Sequence, residues 1–146
     1  MKQLEGTWDA KMIIKAADSP EVESKGVQTA KLGCGGMWLI TDYKGEFMGM
    51  PFEGHGVEGY DIDKKKYVQV WVDPMSTSMD VNEGTYDAAT KTFKFRGKVK
   101  DPESGKVVEY SMKTVIESRD RNVFTMEMTN ADGKAESLKI EYTRKK

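Results

Sequence analysis

The chain has 146 residues, 38% of them hydrophobic and 32% charged, and its 23 basic and 24 acidic side chains leave a formal net charge of -1. That is the length of one domain, and at this size folding buries roughly 70% of the surface the unfolded chain exposes, enough for a single core. The near-cancelled charge offers no basic face to gather phosphates, which argues against nucleic acid or an anionic membrane as partner. A lone cysteine, Cys34, cannot close an internal disulfide, so the fold does not depend on oxidation. Only the stretch MKQLE precedes the first strand. That is too short for a leader, and no run of roughly 18 apolar residues follows. The cytoplasm is the default compartment, with the periplasm open for a chain trimmed of a leader.

Apolar residues that repeat every second position mark strands. Gly6 to Lys15 places Trp8, Ala10, Met12 and Ile14 on one face, opposite Thr7, Asp9 and Lys11. Asp18-Ser19-Pro20 ends that strand, because proline donates no backbone hydrogen bond and fixes its own φ. A more polar strand spans Glu23 to Leu32, and Gly33-Cys34-Gly35-Gly36 reads as a turn or bulge. Met37 to Tyr43 is apolar on both faces and reads as a third strand closed by Lys44-Gly45. A fourth begins at Glu46, kinks near Met50-Pro51 and resumes through Gly54, Gly56 and Gly59 to Tyr60.

The chain then echoes itself. Tyr60-Asp61-Ile62-Asp63-Lys64-Lys65-Lys66-Tyr67 matches Tyr86-Asp87-Ala88-Ala89-Thr90-Lys91-Thr92-Phe93, with shorter relatives at Asp101 to Lys106 and Asn130 to Lys134. Each separates two alternating runs and opens on Asp or Asn, whose side chain bonds its own backbone, so each reads as a hairpin. The runs between them alternate cleanly, as in Phe93, Phe95, Gly97 and Val99 against Lys94, Arg96 and Lys98. The count comes to about ten strands and no helix.

Ten antiparallel strands, each with an apolar and a charged face, pack as a sandwich or close on themselves. Short sequential hairpins favour one up-and-down barrel over residues 1–146, since closure removes exposed edges. Eight strands are about filled by their own side chains, so ten leave room. If the two echoing hairpins share a register, Tyr67, Gln69, Trp71 and Asp73 correspond to the inward set Phe93, Phe95, Gly97 and Val99. A buried amide without a partner costs about 1–3 kcal/mol. Gln69 and Asp73 therefore imply an interior that holds water or a ligand. A register shifted by one residue would send Val68, Val70 and Val72 inward in their place.

Gly6-Thr7-Trp8 resembles the Gly-x-Trp that opens lipocalin-like barrels. The combination of MGMPFEGHGVEGYD, KKYVQVWVDPMST, EGTYDAATKTF and the closing EYTRK resembles the uncharacterised bacterial family known as domain of unknown function 1579, over nearly the whole chain. The resemblance implies a calycin-like barrel and no catalytic residues. The chain is also similar, more distantly, to haem-binding nitrobindin barrels. Their axial histidine lies on a late strand, where this sequence has Leu138 and Ile140, so no haem is expected.

The single histidine, His55, lies between glycines and could act as base, ligand donor or sensor, or be a hydrogen-bonded residue at the rim. In the register above it lies near Asp73, Ser76 and Ser78, although no strained nucleophile turn such as GxSxG is present. Cys34 has only Lys31 near it to lower its pKa and reads as incidental. One His and one Cys cannot make a zinc set, and three lysines follow Asp61 and Asp63, opposing calcium. The many methionines suit a soft, adaptable apolar wall. The expectation is a barrel that binds an apolar or amphipathic small molecule without catalysis and without a cofactor. Trp38, Met48, Met50, Gln69 and Trp71 would line its pocket, with His55 and Asp73 at the mouth. Two alternatives stand beside it: an isomerase or hydrolase using His55 and Asp73, and an interaction module with a filled core that pairs subunits.

Overall fold

The computed structural model describes residues 1–16, 18–79, 81–100 and 104–146. Ten strands follow one another: β1 (Gly6–Lys15), β2 (Val22–Gly33), β3 (Trp38–Phe47), β4 (Met50–Asp61), β5 (Lys66–Val72), β6 (Val81–Asp87), β7 (Thr92–Lys100), β8 (Val107–Ser118), β9 (Arg121–Thr129) and β10 (Ala135–Arg144). Each pairs antiparallel with its neighbours in sequence, and β1 pairs with β10, so the sheet is a closed barrel of ten strands. Two short 3₁₀ turns, Lys2–Leu4 and Cys34–Gly36, are the only helical segments among the described residues.

The echoing hairpins do share a register. Tyr60 faces Tyr67 across one and Tyr86 faces Phe93 across the other. In each, the fifth loop position holds a non-glycine residue with positive φ, Lys65 (φ 53) and Lys91 (φ 50). The opening aspartates accept backbone N–H groups as expected, Asp61 from Lys64 at 2.9 Å and Asp87 from Ala89 at 2.9 Å. The turn at Asn130 follows the same plan, with Asn130 Oδ1 accepting from Asp132 and Lys134. Of the hairpin placed at Asp101 to Lys106, the first three residues lie outside the described ones.

The β3–β4 corner differs from the sequence reading. β3 does not end at Lys44-Gly45 but runs on to Phe47, and the reversal falls at Met48 (φ 52) and Gly49 (φ 79). Both turn residues have positive φ, as in the two-residue turns whose twist suits a hairpin. Pro51 does not kink the chain. It pairs with Glu46 on β3, while the β4–β5 ladder begins only at His55, so its missing N–H is on a side where no strand waits.

One end of the barrel is sealed. The first 3₁₀ turn drops Leu4, 8% exposed, onto Leu39, Phe93, Phe95 and Met112, and Tyr67, Tyr86 and Phe93 stack there with centroids 4.4–6.3 Å apart. Trp8 anchors the turn by donating to the Leu4 carbonyl at 2.9 Å, and the Arg144 guanidinium lies 4.1 Å over its ring. Arg144 also donates to the carbonyls of Glu5 and Arg119, tying the last strand to the entrance of the first. The opposite end carries the β3–β4 corner and the segment after β5, and it is where the interior opens.

Candidate functional site

A chamber of about 440 Å³ occupies the lumen. Its walls are largely apolar, with Met12, Leu39, Phe52, Met112, Phe124 and Ile140 among them. Met75, Ser76 and Ser78 border it from the segment after β5.

Glycine shapes one wall. Trp71 lies flat on β4, and a Cβ at Gly54 would stand 2.2 Å from its ring, so only a glycine lets the indole take that position. The Trp71 Nε1–H donates to Asp73 Oδ2 at 2.8 Å, and Asp73 Oδ1 accepts from the Met75 N–H at 2.8 Å. The carboxylate of Asp73 is thus occupied in fixing the indole and the start of the loop.

Across the same wall runs a belt of polar groups. Glu58 on β4 faces Gln69 on β5, and Gln69 faces Asn82 on β6. The belt then passes over Gly97, whose missing side chain lets Tyr110 reach across and donate to Asn82 Oδ1 at 2.9 Å. The amide–phenol end of the belt is therefore satisfied. At the acid end, Glu58 Oε1 and Gln69 Oε1 are both sealed from solvent and have no hydrogen-bond partner. Burial pushes the Glu58 carboxyl up to about 7, against the pull of the amine of Met1. On the neighbouring wall, burial also raises the hydroxyls of Tyr43 and, more strongly, Tyr142, and Tyr43 Oη is a third buried oxygen without a partner.

Of the residues singled out from sequence, Gln69, Trp71 and Asp73 line the chamber. Trp38 does not. Leu39, Thr41 and Tyr43 take the inner face of β3, which turns Trp38 outward, where its ring lies against Gly59. Met48 and Met50 do not line it either. They flank the tip of the β3–β4 corner and are 59% and 57% exposed, because the chain reverses between them. His55 is on the outer wall and donates from Nδ1 to Asp42 Oδ1 at 2.6 Å. Although His55 faces Val72 and so lies close to Asp73 along the chain, the two side chains leave opposite faces of the sheet. A dyad of His55 with Asp73 has no geometric basis here. Cys34 is exposed on its turn, and among the described residues no group of three or more His, Cys, Asp or Glu could hold a metal ion.

The sequence reading missed Glu58. The signal was present, since the pairing of Tyr60 with Tyr67 that turns Gln69 inward also sets Glu58 opposite it.

No curated protein matches the chain. Among solved structures, Rv2717c from M. tuberculosis is similar, with a TM-score of 0.73 at 14% identity over 99% of this chain and 94% of that one. The S-type phycobiliprotein lyase CPES from Guillardia theta is similar at 0.71 and 11% identity, over 99% of this chain and 90% of that one. EF1p2_mFAP2b bound to DFHBI follows at 0.54 and 12% identity, over 99% and 95%. At such identities the likeness is one of fold. Residues 1–144 match the family described as protein of unknown function (DUF1579), and the chain belongs to that family.

Proposed function

We propose that the protein binds an apolar or amphipathic small molecule in its lumen and catalyses no reaction on it. The observation that carries this reading is the chamber itself. Its volume of about 440 Å³ lies within the roughly 300–1,000 Å³ usual for small-molecule sites. Its make-up, apolar walls with a few convergent polar atoms, is also usual for such sites. Two sealed oxygens without partners, on Glu58 and Gln69, add a physical reason for an occupant, because each unsatisfied buried acceptor costs about 1–3 kcal/mol that a donor on a ligand offsets. A barrel of similar fold is bound to DFHBI, so the architecture is compatible with a small guest.

The test is a titration with the neutral apolar dye N-phenyl-1-naphthylamine, read by its fluorescence. Saturable enhancement is expected for the native chain. It should be lost in Met126→Trp, which puts an indole into the chamber while the melting temperature reports whether the barrel still folds. No enhancement, or equal enhancement in a folded Met126→Trp, would overturn the reading. Native mass spectrometry of protein from its own host would then show which small molecule travels with it.

A further inference from the structure

We propose that the lumen selects a cationic amphiphile, an alkylamine-type molecule whose ammonium is received between Glu58 and Gln69 while its tail lies along the apolar wall. This rests on the lumenal-binding reading above and adds the chemical class of the ligand.

Three observations converge on a cation. First, the chamber is lined by two carboxylates, Glu58 and Asp73, and among the described residues no Lys, Arg or His lines it. From the lining side chains an anionic headgroup would meet only like charge or neutral dipoles after leaving water, and the one cationic group acting on Glu58, the amine of Met1, is not part of the lining. Second, the two carboxylates are not equivalent. Asp73 is bound to the Trp71 indole and the Met75 N–H, whereas Glu58 Oε1 has no partner. Third, the residue paired with Glu58 across the β4–β5 ladder is Gln69, whose Oε1 is likewise buried without a partner. Two buried oxygens left without partners on facing residues, one of them a carboxylate once Glu58 gives up its proton, fit a group with several N–H bonds, and an ammonium carries three. The indole of Trp71, on the same inner face as Gln69, adds an aromatic surface of the kind that attracts cations.

The proton balance follows from the burial of Glu58. Without ligand its carboxyl holds its proton to about pH 7. When an alkylammonium arrives, the O–H bond breaks, the proton leaves to buffer, and the carboxylate accepts an N–H from the ammonium, so one proton is released per ligand bound below that pH. The titratable groups near Glu58 are the amine of Met1 and the Tyr67 hydroxyl, whose pKa burial and Glu58 both raise. Its direct neighbours on β3 and β5, Leu39 and Gln69, do not titrate.

The experiment is competition against N-phenyl-1-naphthylamine at pH 8 with three molecules of equal tail: decylamine, decanol and decanoate, each below its micellar concentration. Decylamine is expected to displace the dye at about one tenth or less of the concentration the others need, the ratio that one buried charge-assisted hydrogen bond supports. In Glu58→Gln, with each competitor scaled to that variant's own dye affinity, the amine's advantage over decanol and decanoate should disappear. A second measurement needs no variant. Calorimetry of decylamine binding at pH 6 in two buffers of different ionisation heat should show release of close to one proton, and the affinity should fall by about tenfold for each unit of pH below 7. Decanoate or decanol equal to decylamine, an amine preference that survives Glu58→Gln, or no proton release would each overturn the proposal and leave lumenal binding standing. Failure of the dye and of all three competitors to bind would overturn both.

Discussion

The indole of Trp71 is held by a single carboxylate, and that makes Asp73 the residue on which the wall of the chamber turns. Its two oxygens take the Trp71 N–H and the Met75 N–H, one fixing a ring over Gly54 and the other starting the loop that borders the opening. Asp73→Ala removes both acceptors at once. A hydrogen bond to a charged partner contributes about 1.5–3 kcal/mol, so the variant should unfold at lower urea by an amount in that range, with a red-shifted tryptophan emission as water reaches the indole. Unchanged stability and emission would mean the ring is held by packing alone. At this scale the sequence was legible wherever a register could be counted. Gln69, Trp71 and Asp73 follow from the echo between two hairpins, and so does Glu58. Trp38 was not legible, because Met37 to Tyr43 is apolar at nearly every position and alternation cannot say which face is inner.

Turn chemistry decides the elements. Among the described residues, three reversals open on Asp61, Asp87 and Asn130 followed by short polar loops, and the sequence announces them through side chains that bond their own backbone. The Met48-Gly49 reversal carries no such mark, since methionine has no local acceptor and seldom adopts positive φ. Without that mark the alternation alone predicts an early end to β3 and a kink at Met50-Pro51. The same mismatch gives a prediction. Asn tolerates φ near +50° far better than methionine, and Asn-Gly is the preferred pair for a turn with two positive φ values, so Met48→Asn should stabilise the hairpin by about 0.5–1 kcal/mol. With a side chain 59% exposed, the methionine has little burial to lose. Thermal melts of the two proteins check it. A lower melting temperature in Met48→Asn would show that the methionine makes contacts at the opening that outweigh the backbone gain.

Closure of ten strands leaves an interior wider than its own side chains fill, and the cost of that space falls on the groups exposed to it without water. Glu58 is the one lumenal acid that has not been matched, and its effect should be visible in the stability of the whole barrel. Its carboxyl titrates near 4.5 when unfolded and is pushed up to about 7 by burial in the fold. Between those values the folded state holds a proton that the unfolded state has released. The stability of the native chain therefore falls as pH rises through this window, by about 1.4 kcal/mol per unit and about 3–4 kcal/mol in all. Below the window both states are protonated and the penalty vanishes; above it the folded barrel carries a buried charge in full. Glu58→Gln keeps the size and polarity of the side chain but has no proton to exchange. Its advantage over the native chain in urea unfolding should be small at pH 4.5, grow through pH 6, and level off above pH 7.5. A difference that stays flat across that range would mean the carboxyl meets water in the folded state. The acid end of the polar belt would then be wet, and the chamber would hold no unsatisfied charge for a ligand to answer.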